Sequence, residues 1–172
     1  MRILGLDPGS LHTGYGVLER RNRRHAALAV GRISSPRGRA LAERLAHLSR
    51  EARELLRRWQ PDLVVLESPF RGINSRSLIV LAEARGALLA AAALHGAAIR
   101  EFTPAEVKAA VAGSGRAGKD QVARMVRLLL GLDGEPLPAD ATDALAVALC
   151  CAERLRMDAL GQPEPNPSSS RK

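Results

Sequence analysis

Apolar runs and amphipathic stretches alternate along the chain and predict a sheet interleaved with helices. Short apolar segments near 2–6, 14–20 and 25–33 predict three strands. They are joined by a Pro8-Gly9-Ser10 turn and by the basic turn "RRNRR". In "RALAERLAHLSREARELLRRWQ", Leu41, Leu45, Leu48, Leu55 and Trp59 recur near helical spacing with charges between them, which predicts a surface helix with one apolar stripe. "DLVVLE" predicts a fully buried strand ending on Glu67. A helix from about Ser75 to His95 and a strand "AAIREF" follow. "TPAE" at 103–106 is a helix start, with Thr103 as N-cap, Pro104 in the first turn and Glu106 closing a capping box. The "GSGRAG" loop then leads into the helical "KDQVARMVRLLLGL", and "DGEPLP" leads into a last helix, "ADATDALAVALCCAERLRM". Three strands followed by alternating helices and strands predict an α/β fold with a mixed five-stranded sheet flanked by helices. The Pro/Ser-rich end, "GQPEPNPSSSRK", reads as a disordered tail. This places one domain at 1–158 and a tail at 159–172.

Composition narrows the picture. A chain of 172 residues can bury a real core, and with 46% hydrophobic but only 2% aromatic residues that core must be Leu, Val and Ala. The first apolar run stops at Asp7, which gives no sign of a signal peptide, and the apolar stretch from Gly86 to Leu94 is too short to span a bilayer. Cys150 and Cys151 sit side by side in an apolar helical pattern. They read as reduced core residues of a cytoplasmic protein, not as a disulfide framework or zinc site. The net charge of +8 favours a polyanionic partner, with nucleic acid first, although an arginine-rich soluble surface would give the same number. Arginine is used nearly everywhere, and the only lysines are Lys108, Lys119 and Lys172. A compact ammonium at two internal positions suggests a point charge with a purpose.

The acids carry the chemistry. In "ILGLDPGSLHTGYGVL" a buried strand runs straight into Asp7, and a carboxylate there is costly unless it is partnered. That stretch alone leaves a turn cap and a metal or phosphate site both open. Glu67 repeats the pattern at the end of "LVVLE". Parallel neighbouring strands would put both acids at one sheet edge. Asp140 and Asp143, three apart in the first turn of the last helix, share a face. The helix dipole accounts for that pair but not for Asp7 or Glu67. Four facing carboxylates repel unless hard divalent cations sit among them, and two such ions can clamp the attack of water on a phosphodiester. His12, His25, His47 and His95 are scattered and offer no rival ligand set.

"ILGLDPGSLHTGYGVL", "VVLE", "ARG" at 84–86, "VK…G" at 107–113, "GKDQVARMV" and "ADATDALAVAL" together resemble the RuvC-type Holliday junction resolvases, in the right order from Arg2 to about Arg156. The resemblance implies a ribonuclease-H-like fold and a homodimer that cuts four-way DNA junctions with Mg²⁺ or Mn²⁺, two ions per active site. It also implies a branch-migration helicase complex as partner and no membrane. It maps the catalytic, metal-binding acids onto Asp7, Glu67, Asp140 and Asp143, and the basic catalytic residues onto Lys119 and Lys108. In the loop "SPFRGINSRS", Phe70 could staple onto the next helix or stack on an unpaired base. The resemblance favours stacking, with Arg71, Asn74 and Arg76 as further DNA contacts. Where the family often reads Ser-Ala-Leu and Gly-Gln-Ala-Arg-Gly, Ser77-Leu78-Ile79 and Ala82-Glu83-Ala84-Arg85-Gly86 stand here, and Thr142 replaces the usual Ala, at positions concerned with packing and DNA contacts.

Three rivals stand beside this reading. An actin-like or sugar-kinase-like ATP-binding domain would also use "DPGSLHTGYG", but it normally needs a second such domain and phosphate loop. A non-catalytic nucleic-acid binder has no use for four anions facing DNA. A ribonuclease H is the nearest enzymatic alternative, and junction, duplex and RNA–DNA hybrid substrates separate them.

Overall fold

A computed structural model of the chain describes residues 1–21, 24–68 and 75–161. Ten elements follow one another: β1 (Arg2–Asp7), β2 (His12–Arg21), β3 (Arg24–Ser34), α1 (Leu41–Trp59), β4 (Leu63–Glu67), α2 (Ser75–His95), β5 (Ala98–Phe102), α3 (Pro104–Ala112), α4 (Lys119–Leu130) and α5 (Ala139–Gly161). The strands form one mixed sheet in the order β3-β2-β1-β4-β5. β1–β2 and β2–β3 are antiparallel, and β1–β4 and β4–β5 parallel. This is the five-stranded α/β arrangement expected from the sequence, with β1 and β4 as parallel neighbours. The last helix runs to Gly161, past the boundary read at 158, and residues 162–172 lie outside the described residues.

Alternation along the strands divides the interior into two layers. Leu4, Leu6, Val64 and Leu66 face α1 and α2, where they meet Leu48, Leu56, Ala84 and Leu88. Ile3, Val65 and Phe102 face the other way, onto Val107, Val126, Leu145 and Leu149 of α3, α4 and α5. As composition requires, most of the core is aliphatic. Cys150 and Cys151 are buried in it as free thiols, and burial raises both pKa values, to about 12 and about 11.

Local signals act as read. Thr103 Oγ1 accepts from the Glu106 amide (3.2 Å), and the Thr103 amide donates to Glu106 Oε2 (2.9 Å), so the capping box of α3 closes. Helix α2 differs from expectation. As a whole, Arg76–His95 is long and apolar enough to cross a membrane, which the shorter Gly86–Leu94 run did not suggest. In the fold Ala84, Leu88, Ala91 and Ala92 bury one side of it, while Ile79, Ala82, Gly86, Ala90 and Ala93 are exposed on another. Arg85 pairs with Glu101 of β5 at 2.6 Å, and the hydroxyl of Thr142, a departure from the family pattern, is buried and donates to the Pro138 carbonyl at 3.2 Å.

Helix α5 lies against β1 and β2 with no room for a side chain. A Cβ on Gly5 would enter the Ala144 carbonyl oxygen, and one on Gly14 would enter that of Asp140. One on Gly16 would come 2.6 Å from a methyl of Leu145. Gly5→Ala should therefore force α5 off the sheet and lower stability by about 2–3 kcal/mol, the scale of an overpacked core. Chemical denaturation of the two proteins measures this. Gly86→Ala, on an open helix face, should leave stability unchanged or raise it by up to about 1 kcal/mol.

Candidate active site

Register places the acids. Asp7 pairs with Gly14 of β2, and Gly14 pairs with Arg32 of β3. On the other side Glu67 is the next position after the parallel pair Leu6 and Leu66, and it pairs with Phe102. One cross-sheet row therefore reads Arg32, Gly14, Asp7, Glu67, Phe102. Because Leu6 and Leu66 face α1 and α2, this row faces α5. The gap at Gly14 admits the backbone of Asp140, so the first turn of α5 settles directly above the row. The turn after Asp7 is fixed from within. Buried Thr13 donates its hydroxyl to the Gly9 carbonyl (2.7 Å) and accepts from the Gly9 amide (3.2 Å), and Arg44 of α1 donates to Ser10 Oγ (3.1 Å).

Asp7, Glu67, Asp140 and Asp143 thus come to one end of the sheet, half-buried. The Asp7 carboxyl is pushed up from 3.8 to about 7, first by burial and then by Asp143, Asp140 and Glu67, with Lys119 opposing. Glu67 is also raised, by burial and then Asp143, while Lys108 and Lys119 pull it down. Lys119, at the start of α4, places Nζ 2.7 Å from Asp143 Oδ2, and this hydrogen bond raises its own pKa. Glu67, Lys108, Lys119 and Asp143 line a cleft of about 200 Å³ between α3, α4 and α5. Larger clefts lie elsewhere, and in two of them the acids are ion-paired: Glu153 with His25 (2.9 Å) and Glu106 with Arg154 (3.9 Å).

All six expected residues, four acids and two lysines, are brought together. Arg76 lies exposed in the first turn of α2, whereas Phe70, Arg71 and Asn74 lie outside the described residues. Sequence reading missed Arg32, whose Nη1 is 3.8 Å from Asp140 Oδ2, and Arg44 behind the turn. Only the strand register and the packing of α1 bring these two to the site. The donor chemistry fits a hard divalent cation, being all oxygen, half-buried and mutually repelling. As they stand, among the described residues no three His, Cys, Asp or Glu side chains approach closely enough to hold a metal ion. Asp143 is engaged by Lys119 and Asp140 by Arg32.

The chain is similar to known proteins over most of its length. The family model for the crossover junction endodeoxyribonuclease RuvC matches residues 3–151. The corresponding protein of Moorella thermoacetica is 47% identical over 152 residues, covering 88% of this chain and 91% of that one. The Neisseria meningitidis protein is 45% identical over 154 residues, covering 90% and 86%. Among solved structures, Thermus thermophilus RuvC in complex with a Holliday junction substrate superposes with a TM-score of 0.86 at 34% identity, covering 92% of this chain and 96% of that one. The yeast mitochondrial Holliday junction resolvase Ydc2, at 13% identity and a TM-score of 0.66, covers 88% and 79% and shares the fold. The chain belongs to the RuvC family of crossover junction endodeoxyribonucleases, which are divalent-metal-dependent nucleases.

A carboxyl whose pKa is higher in the fold than in the unfolded chain binds more protons when folded, so stability falls as pH rises between the two values. For Asp7 that window runs from 3.8 to about 7. In chelator, Asp7→Asn should remove this loss and raise stability at pH 8 by about 0.5–2 kcal/mol, with little effect at pH 4. Thermal melts at the two pH values measure it. A lower melting temperature for the variant at both would make Asp7 a structural cap of its turn.

Proposed function

We propose that this protein resolves four-way DNA junctions by paired, metal-dependent hydrolysis of phosphodiesters in recombination and repair. The observation that carries the reading is the row that sets Asp7 and Glu67 beneath Asp140 and Asp143, with Lys119 2.7 Å from Asp143. Family membership supplies the substrate class, because the related Thermus thermophilus protein has been solved with a Holliday junction. The four acids would hold Mg²⁺ or Mn²⁺, two ions per site, which supply an acidified water and charge neutralisation at the phosphodiester. Around that chemistry the chain's own groups have separate tasks. Lys119 keeps Asp143 oriented and offers a cation to a non-bridging phosphate oxygen, and Lys108 presents a second one across the cleft from Glu67. Phe70, Arg71, Asn74 and Arg76 would engage the junction arms, with Phe70 stacking on an unpaired base.

Two matched cuts need two centres, and one chain carries one acidic set. An isologous homodimer meets this requirement. The exposed apolar stripe on α2, Ile79 followed by the small residues Ala82, Gly86, Ala90 and Ala93, supports that face as the interface. A branch-migration helicase complex working on the same junction and a cytoplasmic location complete the proposal, with residues 1–158 as the nuclease domain and the end of the chain, from 159, as its tail.

Asp7→Asn, Glu67→Gln and Asp143→Asn should each abolish junction cleavage and leave junction binding intact or slightly stronger, since an anion is removed. Lys119→Ala should lower the cleavage rate about 100-fold with little effect on binding, the scale of losing one transition-state donor. Single-turnover cleavage and fluorescence anisotropy separate the two quantities, and wild-type cleavage by any acid variant would overturn the assignment. Junction, duplex and RNA–DNA hybrid run in parallel distinguish a resolvase from a ribonuclease H.

Assembly has its own test. Mixed dimers of wild-type and Asp7→Asn chains should nick one strand and fail to release paired duplexes. A protein that sizes as a monomer at micromolar concentration and still resolves junctions would remove the dimer.

A further inference from the structure

Arg32 is the one charged residue of the cross-sheet row that neither the sequence motifs nor the acid cluster accounts for. It stands on β3, directly opposite Gly14, on the face that carries Asp7 and Glu67. Gly14 has no side chain, so nothing from β2 separates Arg32 from the first turn of α5. The Arg32 guanidinium lies 3.8 Å from Asp140 Oδ2, with both side chains partly open to solvent (41% and 32%). At that distance and exposure the pair contributes little to stability. Its consequence is a division of charge. Asp143 is engaged by Lys119 from one side and Asp140 by Arg32 from the other, while Asp7 and Glu67 lie between them.

We infer that Arg32 is a DNA-backbone contact held in reserve: Asp140 occupies it in the metal-free site, and it turns to a phosphate flanking the reacting one when Asp140 is neutralised. The inference rests on the reading of this site as DNA-cleaving. A guanidinium suits the role because its planar fork matches both partners in turn, a carboxylate and then a phosphate. Adjacent strands are about 4.8 Å apart, so Arg32 stands two strands, about 10 Å, from Asp7 in the row. That is on the order of the spacing of a neighbouring phosphate along one strand, and it puts the cation beside the acidic centre, not within it. The strand position also explains why arginine serves here: its long side chain reaches from β3 to the first turn of α5, whose backbone rests on Gly14.

Binding without cleavage tests this. Anisotropy titrations in chelator, over a series of salt concentrations, compare wild type, Arg32→Ala, Asp140→Asn and the double variant on a four-way junction and on a duplex of equal length. Asp140→Asn should bind the junction about three- to tenfold more tightly than wild type. Its log–log salt dependence should steepen by about 0.9, one phosphate contact. Adding Arg32→Ala should remove both changes. The same gain in the Arg32→Ala background would mean that Asp140 merely repels DNA, and would overturn the inference, as would no gain at all. A second arm leaves Asp140 intact. In Ca²⁺, an oxygen-seeking cation, Arg32→Ala should flatten the salt slope of wild type by about 0.9, and in chelator it should leave that slope unchanged. An equal effect in both conditions would make Arg32 an ordinary surface cation. Loss of junction preference by wild type itself would sink the functional reading, while the comparison of variants on duplex would still judge Arg32.

Discussion

The contact between α5 and the first two strands organises this molecule. Helices usually stand off a sheet by the thickness of two side-chain layers. Here Gly5, Gly14 and Gly16 remove one of those layers, and the backbone of α5 rests on the backbone of β1 and β2. Two consequences follow from the same closeness. The central helix is buried over most of its length, from Ala141 and Thr142 through Ala144 to Ala152, so it serves as the spine of one core layer. Its first turn also comes down onto the row holding Asp7 and Glu67, which puts four acids within electrostatic reach of one another. Folding energy from the apolar part of the helix thereby holds together a cluster that its charges would drive apart.

That cluster is not arranged symmetrically. Asp7 is the acid most out of keeping with its environment, raised to about 7 by burial and by its three acidic neighbours. Asp143 and Asp140, nearer to solvent, are tied to cations of different type. A lysine hydrogen-bonded at 2.7 Å orients one carboxylate firmly. An arginine at 3.8 Å compensates the other loosely. The centre therefore has a strained acid at its base and two compensated acids at its rim, an arrangement suited to admitting positive charge from the solvent side.

Most of this was legible before the structure. Strand-terminal acids after "ILGL" and "LVVL" stand out because apolar runs rarely end on a carboxylate, and Asp140 and Asp143 stand out by helical spacing. Lysine in an arginine-rich chain marked Lys108 and Lys119. What the sequence did not disclose depended on register and packing. Arg32 is one of many arginines until β3 is aligned with β2, and Arg44 meets Ser10 only once α1 has packed on the sheet. The end of α5 lay beyond the boundary read from the Pro/Ser composition, because Asp158-Ala159-Leu160 continues the helix before the prolines begin. The membrane-compatible length of α2 was missed for a related reason: its charged residues near Glu83 and Arg85 broke the apolar run that the eye follows, although the helix as a whole remains apolar.

The cross-sheet row has a consequence for when the protein first becomes dangerous to DNA. The row supplies acids from β1 and β4, and the other two come from a helix that is synthesised only after all five strands, so a nascent chain can hold Asp7 and Glu67 long before it holds Asp140. A slip of one residue in the pairing of β1 or β4 would turn that strand's acid to the opposite face, away from α5. The complete acidic set therefore certifies a finished fold: a half-made or misregistered copy lacks at least one of its four carboxylates.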